Sequence, residues 1–460
     1  MNNDIRELIY DKYIYPIEGN KKNLVGVEIE LPIVNRAGLA TDHNVSKAMF
    51  ASLIDHFGLR PVKYDLEGSC HEAVSPVTGD GLSFDCSYNN FEISFGTEES
   101  LVVIEQRFRE YITYANEQLL KYNHIITGMG IQPYYYNCYK NYVPNGRYKM
   151  LEGFLRKGGK WGDECYFHNY PEYGTYASAS QVQLDVSKDE LIKTIKVFSK
   201  LEPLKSIIFA NSVMLKDEPD LLCARDMLWE NSSHGINVHN IGMYEEVPNS
   251  IDEFIEYIAY TSIFCNERDG DYLFFHPTVV SEYFNKGLLE GEYYKDGEYL
   301  KKTFEPDKKD IEYLRTYKFL DLTKRGTIEY RSLCTQPLNE TFSGIALQVG
   351  LMSRINELDE ILSNDKVLYH HGFTAPELRR MLNHEQIPDF IDKDGLRVLL
   401  EKIIDLSESG LVSRGFGEEK FLDKVQLRAD TLTSPARKMK NQLRKGVSLS
   451  DIVDEYANLA

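Results

Sequence analysis

The chain has 460 residues, and its 52 lysines and arginines against 71 aspartates and glutamates give a formal net charge of −19. This acidic balance argues against sequence-independent binding to nucleic acid, which requires basic side chains to neutralise phosphates, and against docking on anionic lipid. Hydrophobic residues make up 42% of the chain, which excludes global disorder and allows a large core that needs no disulfide or metal to fold.

Up to about residue 338, the pattern mixes short alternating strands with helices. Strands are predicted over residues 24–33, 90–95, 124–131, 178–186 and 326–334, and helices over residues 45–57, 98–122 and 188–201. Gly58 is expected to end the first of these helices. Glu98 and Glu99 are expected in the first turn of the second helix, where the helix dipole favours anions.

After about residue 338, the sequence favours helices almost throughout. The predicted helices cover residues 341–363, 375–384, 395–410, 417–431, 434–445 and 448–457. Strands separated by long insertions, with helices gathered at one end of the chain, predict an α+β fold with a largely antiparallel sheet. We expect residues 1–460 to form a single domain in which residues 338–460 are a mostly helical layer over the sheet.

The sequence shows no sign of export or of membrane insertion. The first residues lack a basic region followed by an apolar core, and no apolar stretch approaches the roughly 18 residues of a membrane span. The seven cysteines are an odd number and are widely scattered. We therefore expect a cytoplasmic protein with reduced thiols that does not act at a membrane.

Four of the predicted strands place polar side chains on one face, because residues i, i+2 and i+4 of a strand share a face. These polar residues are Glu28 and Glu30 in the first strand, Glu92 in the second, Gln181 and Gln183 in the fourth, and Glu329 and Arg331 in the fifth. The ordinary interpretation is a set of strands with one solvated face, which is common in antiparallel sheets. The repetition of carboxylates and carboxamides around a single arginine favours a second interpretation.

In the second interpretation, the sheet curls and these residues line a funnel. Carboxylates gathered in a funnel repel one another unless cations lie among them, and Mg²⁺ takes oxygen ligands from carboxylates and substrate phosphates. An arginine such as Arg331 suits bidentate contact with a phosphate or a carboxylate. The pattern therefore suits an ATP–Mg²⁺ platform of a kind other than a Walker loop, since the chain has no Walker motif.

Several short motifs resemble the glutamate–cysteine ligase family of glutamine-synthetase-like carboxylate–amine ligases, and most closely its plant-type and bacterial branch. In chain order they are Gly26-Val-Glu28-Ile-Glu30, Gly81-Leu-Ser-Phe-Asp85 with Asn90-Phe-Glu92-Ile-Ser94, Gly130-Ile-Gln-Pro133, Gly146-Arg147-Tyr148, Ser180-Gln-Val-Gln183-Leu-Asp185, Phe209-Ala-Asn-Ser212, Arg225-Asp-Met-Leu-Trp229, Ile328-Glu329-Tyr-Arg331 and the segment 410–419. Each motif is weak alone, but the ordered set spans roughly residues 22–440.

The resemblance implies a curved, largely antiparallel sheet that forms an active-site funnel under helices, as in the glutamine synthetase fold. It implies an enzyme in which ATP phosphorylates the side-chain carboxylate of glutamate and the amine of cysteine attacks the γ-glutamyl phosphate. The products are γ-glutamylcysteine, ADP and phosphate. The implied cofactors are ATP as co-substrate and roughly two or three Mg²⁺ ions, with Mn²⁺ as an alternative, and the implied partners are small molecules.

The resemblance also implies roles for individual residues. The implied metal ligands are Glu28, Glu30, Glu92 and Glu329, with Asp85 and Glu67 as further candidates. Arg331 and Glu329 are the implied catalytic residues, and Arg331 would stabilise charge on the transferring phosphoryl group. The implied substrate-binding residues are Arg225 and Trp229 for a substrate α-carboxylate, Gln181 and Gln183 for polar substrate or nucleotide groups, and Arg147 and Tyr148.

Two departures from the family pattern leave alternatives open. The segment from Asp85 to Glu92 is one residue longer than its plant-type counterpart and begins with an aspartate, so Glu92 is a better ligand candidate than Asp85. The segment between Ser212 and Arg225 is acidic, which keeps open the same chemistry on a different amine or carboxylate in a specialised pathway. A non-catalytic homologue is a further alternative, disfavoured because the acids of the sheet face are all present.

Overall fold

The computed structural model describes residues 3–19, 21–161 and 167–460. The strands in the described part of the chain are β1 (Val25–Asn35), β2 (Arg60–Tyr64), β3 (Cys70–Val74), β4 (Gly81–Phe84), β5 (Asn90–Ser94), β6 (His124–Ile126), β7 (Ala179–Asp185), β8 (Ile241–Gly242), β9 (Ser262–Arg268), β10 (Asp271–Val279), β11 (Leu289–Lys295), β12 (Glu298–Phe304), β13 (Tyr317–Lys318), β14 (Leu320–Leu322) and β15 (Thr327–Cys334).

Nine of these strands form the main sheet. Their spatial order is β14–β15–β7–β1–β5–β4–β3–β2, with β6 paired to the far end of β1. Every pairing in this sheet is antiparallel. The predicted α+β fold with a largely antiparallel sheet is therefore confirmed.

The alternation of side chains fixes which face of the main sheet packs inside. In β1, the side chains of Val27, Ile29 and Leu31 are at most 1% exposed and join the core, whereas Glu28 and Glu30 on the other face are only half-buried. Burial of one face makes the register specific, because a slip by one residue would bring the glutamates into the core. The register therefore also fixes the positions of the polar side chains on the opposite face.

A second sheet was not anticipated from the sequence. It has four antiparallel strands in the order β12–β11–β10–β9, and β8 and β13 form a separate short parallel pair. The alternation in these strands is interrupted by residues such as Pro277, where the pairing of β9 with β10 shifts register between Phe274 and Thr278. Such an irregularity hides the period of two on which strand prediction depends.

Helices make up most of the remaining chain. They are α1 (Asn3–Ile9), α2 (His43–Phe57), α3 (Leu101–Leu120), α4 (Gly146–Trp161), α5 (Lys188–Phe209), α6 (Ala224–Glu230), α7 (Ile251–Ala259), α8 (Val280–Tyr283), α9 (Ser343–Met352), α10 (Ile355–Ser363), α11 (Ala375–Leu382), α12 (Lys393–Arg414), α13 (Asp423–Thr431), α14 (Pro435–Arg444) and α15 (Leu449–Tyr456).

The local chemistry explains where the predicted helices begin and end. α2 ends at Gly58, which adopts a left-handed φ of 60° as expected. α3 begins only after Ser100, whose hydroxyl caps it, so the expectation that Glu98 and Glu99 lie in its first turn is wrong. Glu98 instead forms two backbone hydrogen bonds with Val25 of β1.

The segment after residue 338 is helical, as predicted, with the predicted helix 341–363 divided into α9 and α10. The assignment of residues 1–460 to a single domain stays a prediction. No helix in the described ranges is both long and apolar enough to cross a membrane. The six cysteines that the structure describes are free thiols, while Cys165 lies outside the described residues. The cytoplasmic location stays a prediction.

Candidate active site

The polar residues of the main sheet form rows that cross neighbouring strands on one face. The rows of directly paired residues are Asp321–Glu329–Gln183, Gln181–Glu28–Ser94 and Glu30–Glu92–Ser83–Glu72. The rows arise because each strand alternates polar and apolar side chains and the antiparallel register aligns the polar positions. Five strands, β1, β3, β5, β14 and β15, thus contribute acids to one surface.

Two carboxamides hold three of these acids in place. The Gln183 side-chain amide donates to Glu28 at 3.0 Å and to Glu329 at 2.7 Å, and the Gln181 amide donates to Glu30 at 3.0 Å. A carboxamide donates hydrogen bonds without adding a positive charge. The two carboxamides therefore orient the acids without neutralising their charge.

Asp85 joins this surface from the turn between β4 and β5. One carboxylate oxygen from each of Glu30, Asp85 and Glu92 lies within 4.8 Å of the other two. The turn is tight, since Cys86 adopts a φ of 56°, and its thiol donates to the Asp85 carboxylate at 3.4 Å. The extra residue in this segment therefore still delivers the aspartate to the cluster.

The acids are in an environment that opposes their ionisation. Burial, together with the charge of Glu329, raises the pKa of Glu28 to about 7. Burial and the charge of Asp85 raise the pKa of Glu30 to about 8, and burial likewise raises the pKa values of Asp85 and Glu92. Desolvated acids that crowd one another favour protonation unless a cation offsets their charge.

This donor set fits hard divalent cations. Its oxygens come from several carboxylates on rigid strands, and Mg²⁺ prefers such oxygen ligands together with substrate phosphates. The pKa values of Glu28, Glu30 and Glu92 are raised because burial and the neighbouring carboxylates outweigh the positive and hydrogen-bonding groups nearby. The residues present are therefore suited to hold Mg²⁺ or Mn²⁺.

Five arginines line the same space, and Arg147, Arg225 and Arg331 among them differ in their pairing. Arg331 pairs with Glu329 and lies at a bulge in β15, where residues 331 and 332 oppose one residue of β7. Such bulges redirect side chains near active sites. Arg147 and Arg225, in contrast, form no salt bridge with any carboxylate in the described part of the chain.

Arg225 is the more buried of these unpaired guanidinium groups. It is 7% exposed, and it donates to the carbonyl of Leu333 at 3.2 Å. Its Nε atom is buried and has no partner among the residues that the structure describes. A desolvated guanidinium with spare donors is suited to bind an anionic group of a ligand, such as a carboxylate or a phosphate.

These groups surround one cavity of about 680 Å³. Its wall also carries basic and aromatic residues. The basic residues are Lys12, Arg315, Lys324 and Arg325, and the aromatic residues are Tyr173, Trp229, His234 and Tyr317. The cavity thus combines clustered acids, anion-binding groups and apolar rings, as a site for several small charged substrates requires.

The structure brings most of the sequence-predicted site residues together. Those that line the cavity are Glu28, Glu30, Asp85, Glu92, Arg147, Tyr148, Gln181, Arg225, Trp229, Glu329 and Arg331. Gln183 contacts the cavity through its bonds to Glu28 and Glu329. Glu67 lies elsewhere, because it pairs with Lys47 at 3.1 Å and its side chain is 67% exposed.

Sequence reasoning missed several residues of this wall. Asp321 lies opposite Glu329, and burial raises its pKa to about 6. Its strand has only three residues, too few to show alternation, although Leu320 and Leu322 flank the acid as expected. Lys12 and His234 had no sequence signal, since they lie on short helical turns that reach the cavity only through tertiary packing.

A family model for glutamate–cysteine ligase family 2 matches residues 24–442 of this chain. The chain belongs to this family. The match covers every strand of the main sheet and all the acids described above. The resemblance noted in the sequence motifs is confirmed.

Individual members of the family are distant in sequence. The chain is 24% identical over 325 residues to the chloroplastic glutamate–cysteine ligase of Solanum lycopersicum, and 23% identical over 324 residues to that of Arabidopsis thaliana. These matches cover 68% of this chain and 56% of each plant protein. The chain thus spans little more than half the length of these relatives.

The fold also resembles a solved structure of the family. The crystal structure of a glutamate–cysteine ligase from Francisella tularensis, in complex with AMP, superimposes with a TM-score of 0.51. The match covers 94% of this chain and 88% of the bacterial chain at 12% identity. At that identity, the similarity supports the fold.

Proposed function

We propose that this protein is an ATP-dependent ligase that joins the γ-carboxylate of glutamate to the amine of cysteine. The observation that carries the proposal is that the clustered acids line one cavity together with Arg147 and Arg225, within a chain of glutamate–cysteine ligase family 2. Formation of a γ-glutamyl phosphate from ATP, followed by attack of the amine, would give γ-glutamylcysteine, ADP and phosphate.

Phosphoryl transfer needs positioning and charge neutralisation more than a protein nucleophile. We assign Glu28, Glu30, Glu92 and Glu329 as the residues that hold Mg²⁺, with Asp85 as a further ligand. Bound Mg²⁺ would neutralise the phosphates of ATP and the developing charge of the transferring group. Glu67 is not part of this assignment, because its side chain lies outside the cavity.

We assign the arginines to the anionic groups of the substrates. Arg225, beside Trp229, would bind the α-carboxylate of the donor, since its buried Nε atom has no partner among the described residues. Arg331 would stabilise charge on the transferring phosphoryl group from its position on the sheet face. Arg147 and Tyr148 would bind substrate at the cavity wall, and Gln181 and Gln183 orient the acids.

The acidic segment between Ser212 and Arg225 bears on the choice of acceptor. None of the residues 213–224 lines the cavity in the described structure, and Asp217 instead accepts a hydrogen bond from Tyr135 at 2.6 Å. This departure from the family pattern therefore lies outside the wall that contacts substrates. Cysteine remains the acceptor that the family favours.

The proposal is tested by measuring ADP release from Mg²⁺-ATP and glutamate across a panel of amines, with mass spectrometry of the products. Turnover with cysteine and a product of the mass of γ-glutamylcysteine is expected. Turnover only with another amine would support the ATP-dependent ligase reaction but would show that cysteine is not the acceptor. Nucleotide binding with no turnover across the panel and across alternative carboxylates would contradict the proposal in favour of a non-catalytic homologue.

A further inference from the structure

A buried ion network connects the C-terminal helices to the wall of the cavity. At its centre is Arg379 of α11, whose side chain is 3% exposed. Its guanidinium donates to Asp226 of α6 at 2.7 and 3.3 Å, to the carboxylate of Glu202 in α5 at 2.7 Å, and to the carbonyl of Ser332 in β15 at 3.4 Å. One side chain thus fixes three elements around the site.

Asp226 is the partner that bears on substrate binding. It lines the cavity and directly follows Arg225 in the chain. Arg379 and the amide of Asn383, which donates at 2.8 Å, together engage its carboxylate. Although burial opposes ionisation, the charge of Arg379 holds the pKa of Asp226 below its ordinary value, so this acid is an anion beside the carboxylate-binding arginine.

The two acids of the network do not depend equally on Arg379. Glu202 has a second cationic partner, because Lys205 donates to it at 2.7 Å. Asp226 forms a salt bridge only with Arg379 among the described residues. Loss of the Arg379 guanidinium would therefore leave Asp226 without its salt bridge, and Arg225 is the other cation whose charge stabilises the Asp226 anion.

We propose that Arg379 is a positioning residue for donor binding, which keeps Asp226 engaged so that Arg225 remains free for the substrate carboxylate. This inference rests on the proposed function, since Arg225 is assigned to the donor there. The contact that Arg379 makes with the Phe319 ring, at 4.6 Å, adds to the rigidity of the arrangement, because Phe319 also lines the cavity.

The test compares Arg379→Met with the double variant Arg379→Met/Asp226→Asn. In the single variant we expect the KM for glutamate to rise about tenfold or more, with the KM for ATP and kcat changed less than about threefold. In the double variant the competing anion is gone, and the KM for glutamate is expected to return to within about threefold of wild type. Glutamate affinity by calorimetry provides the same comparison without turnover.

The matched control is Arg428→Met. Arg428 is similarly buried, pairs with Glu340 and donates to the carbonyl of Ile208 at 2.9 Å, but it contacts no residue of the cavity wall in the described structure. It should lower thermal stability without changing the KM for glutamate. If Arg379→Met does not fold, Arg379→Lys takes its place, with a smaller rise in KM that Asp226→Asn again reverses.

Three results would overturn the inference. They are an unchanged KM for glutamate in the Arg379 variant, a KM that Asp226→Asn fails to restore, and an equal effect in Arg428→Met. With active wild-type enzyme, each would remove the role of Arg379 and leave the proposed function intact. A wild-type protein that neither turns over nor binds glutamate would remove both.

Discussion

Two groups of buried charges in this molecule have opposite balances. On the face of the main sheet, acids from several strands gather with carboxamides between them, and the pKa values of Glu28 and Glu30 are raised. In the network around Arg379, two acids and two bases are paired within 2.7 Å, and the pKa of Asp226 is lowered.

The difference separates charges that support the fold from charges that await a ligand. In a buried ion pair, each charge is neutralised by its partner within the protein, and removing one partner leaves the other as an uncompensated buried charge. A cluster of like charges is destabilising in the free protein and is relieved by cations or protons. The same residue types therefore have structural roles in one region and, in our account, ligand-binding roles in the other.

The largest expected effect is on activity when an acid of the sheet face is neutralised. We expect Glu28→Gln or Glu329→Ala to lower ATP turnover by about 10²–10³-fold or more, because charge neutralisation at the phosphates depends on these acids. The far-ultraviolet circular dichroism spectrum should be unchanged, since neither side chain packs in the apolar core. Glu298→Gln, an exposed glutamate in β12, is the control. Wild-type turnover in Glu28→Gln would exclude the assigned ligand role.

The second effect concerns stability and separates the two groups directly. Glu202→Gln should destabilise the protein by about 3–5 kcal/mol, because Lys205 and Arg379 lose a buried counter-charge. Glu30→Gln should leave the metal-free protein equally or more stable, because it removes a charge that its neighbours repel. Chemical denaturation measures both. Similar losses of stability in the two variants would remove the distinction between the groups.

The third effect is on substrate affinity. Arg225→Ala is expected to raise the KM for the donor amino acid about tenfold to a hundredfold, since a charge-assisted bond to its carboxylate is lost. The KM for ATP should change little. A steady-state matrix of ATP and glutamate concentrations separates the two constants. A change confined to ATP would assign Arg225 to the nucleotide instead.

The smallest effect is the pH dependence of stability in the metal-free protein. The folded-state pKa values of Glu28 and Glu30, about 7 and about 8, lie above the ordinary value of 4.5. The folded state therefore binds more protons than the unfolded state between about pH 4.5 and 8, and this contribution to stability is lost as the pH rises through that window. Thermal unfolding at several pH values, with Glu30→Gln for comparison, measures it. The slope should be shallower in the variant.

Most of the polar residues on the sheet face could be predicted from the sequence, because the alternation of polar and apolar residues is a local pattern. The strands with Glu28, Glu92, Gln183 and Glu329 show the period of two, and their motifs occur in the family's order. The register that aligns them depends on packing of the opposite face, which no local pattern encodes. The alignment of the acids into rows across neighbouring strands could therefore be seen only in the structure.

The remainder of the site depends on contacts between residues distant in sequence. Arg379 and Asp226 are 153 positions apart, and Lys12 contacts the carbonyl of Leu314 across 302 positions. Glu67 was a ligand candidate only by its position in the sequence, and in the structure its exposed side chain pairs with Lys47. Sequence position alone does not determine which way a loop residue points.

The most direct test of the central claim is a calorimetric titration of Mg²⁺ into the purified protein in two buffers of different ionisation enthalpy at about pH 7. Because the pKa values of Glu28 and Glu30 are raised to about 7 and about 8, we predict that wild-type protein binds Mg²⁺ with release of protons. Glu30→Gln should bind more weakly and release fewer protons. Binding of Mg²⁺ without proton release, or identical binding by the variant, would contradict the account.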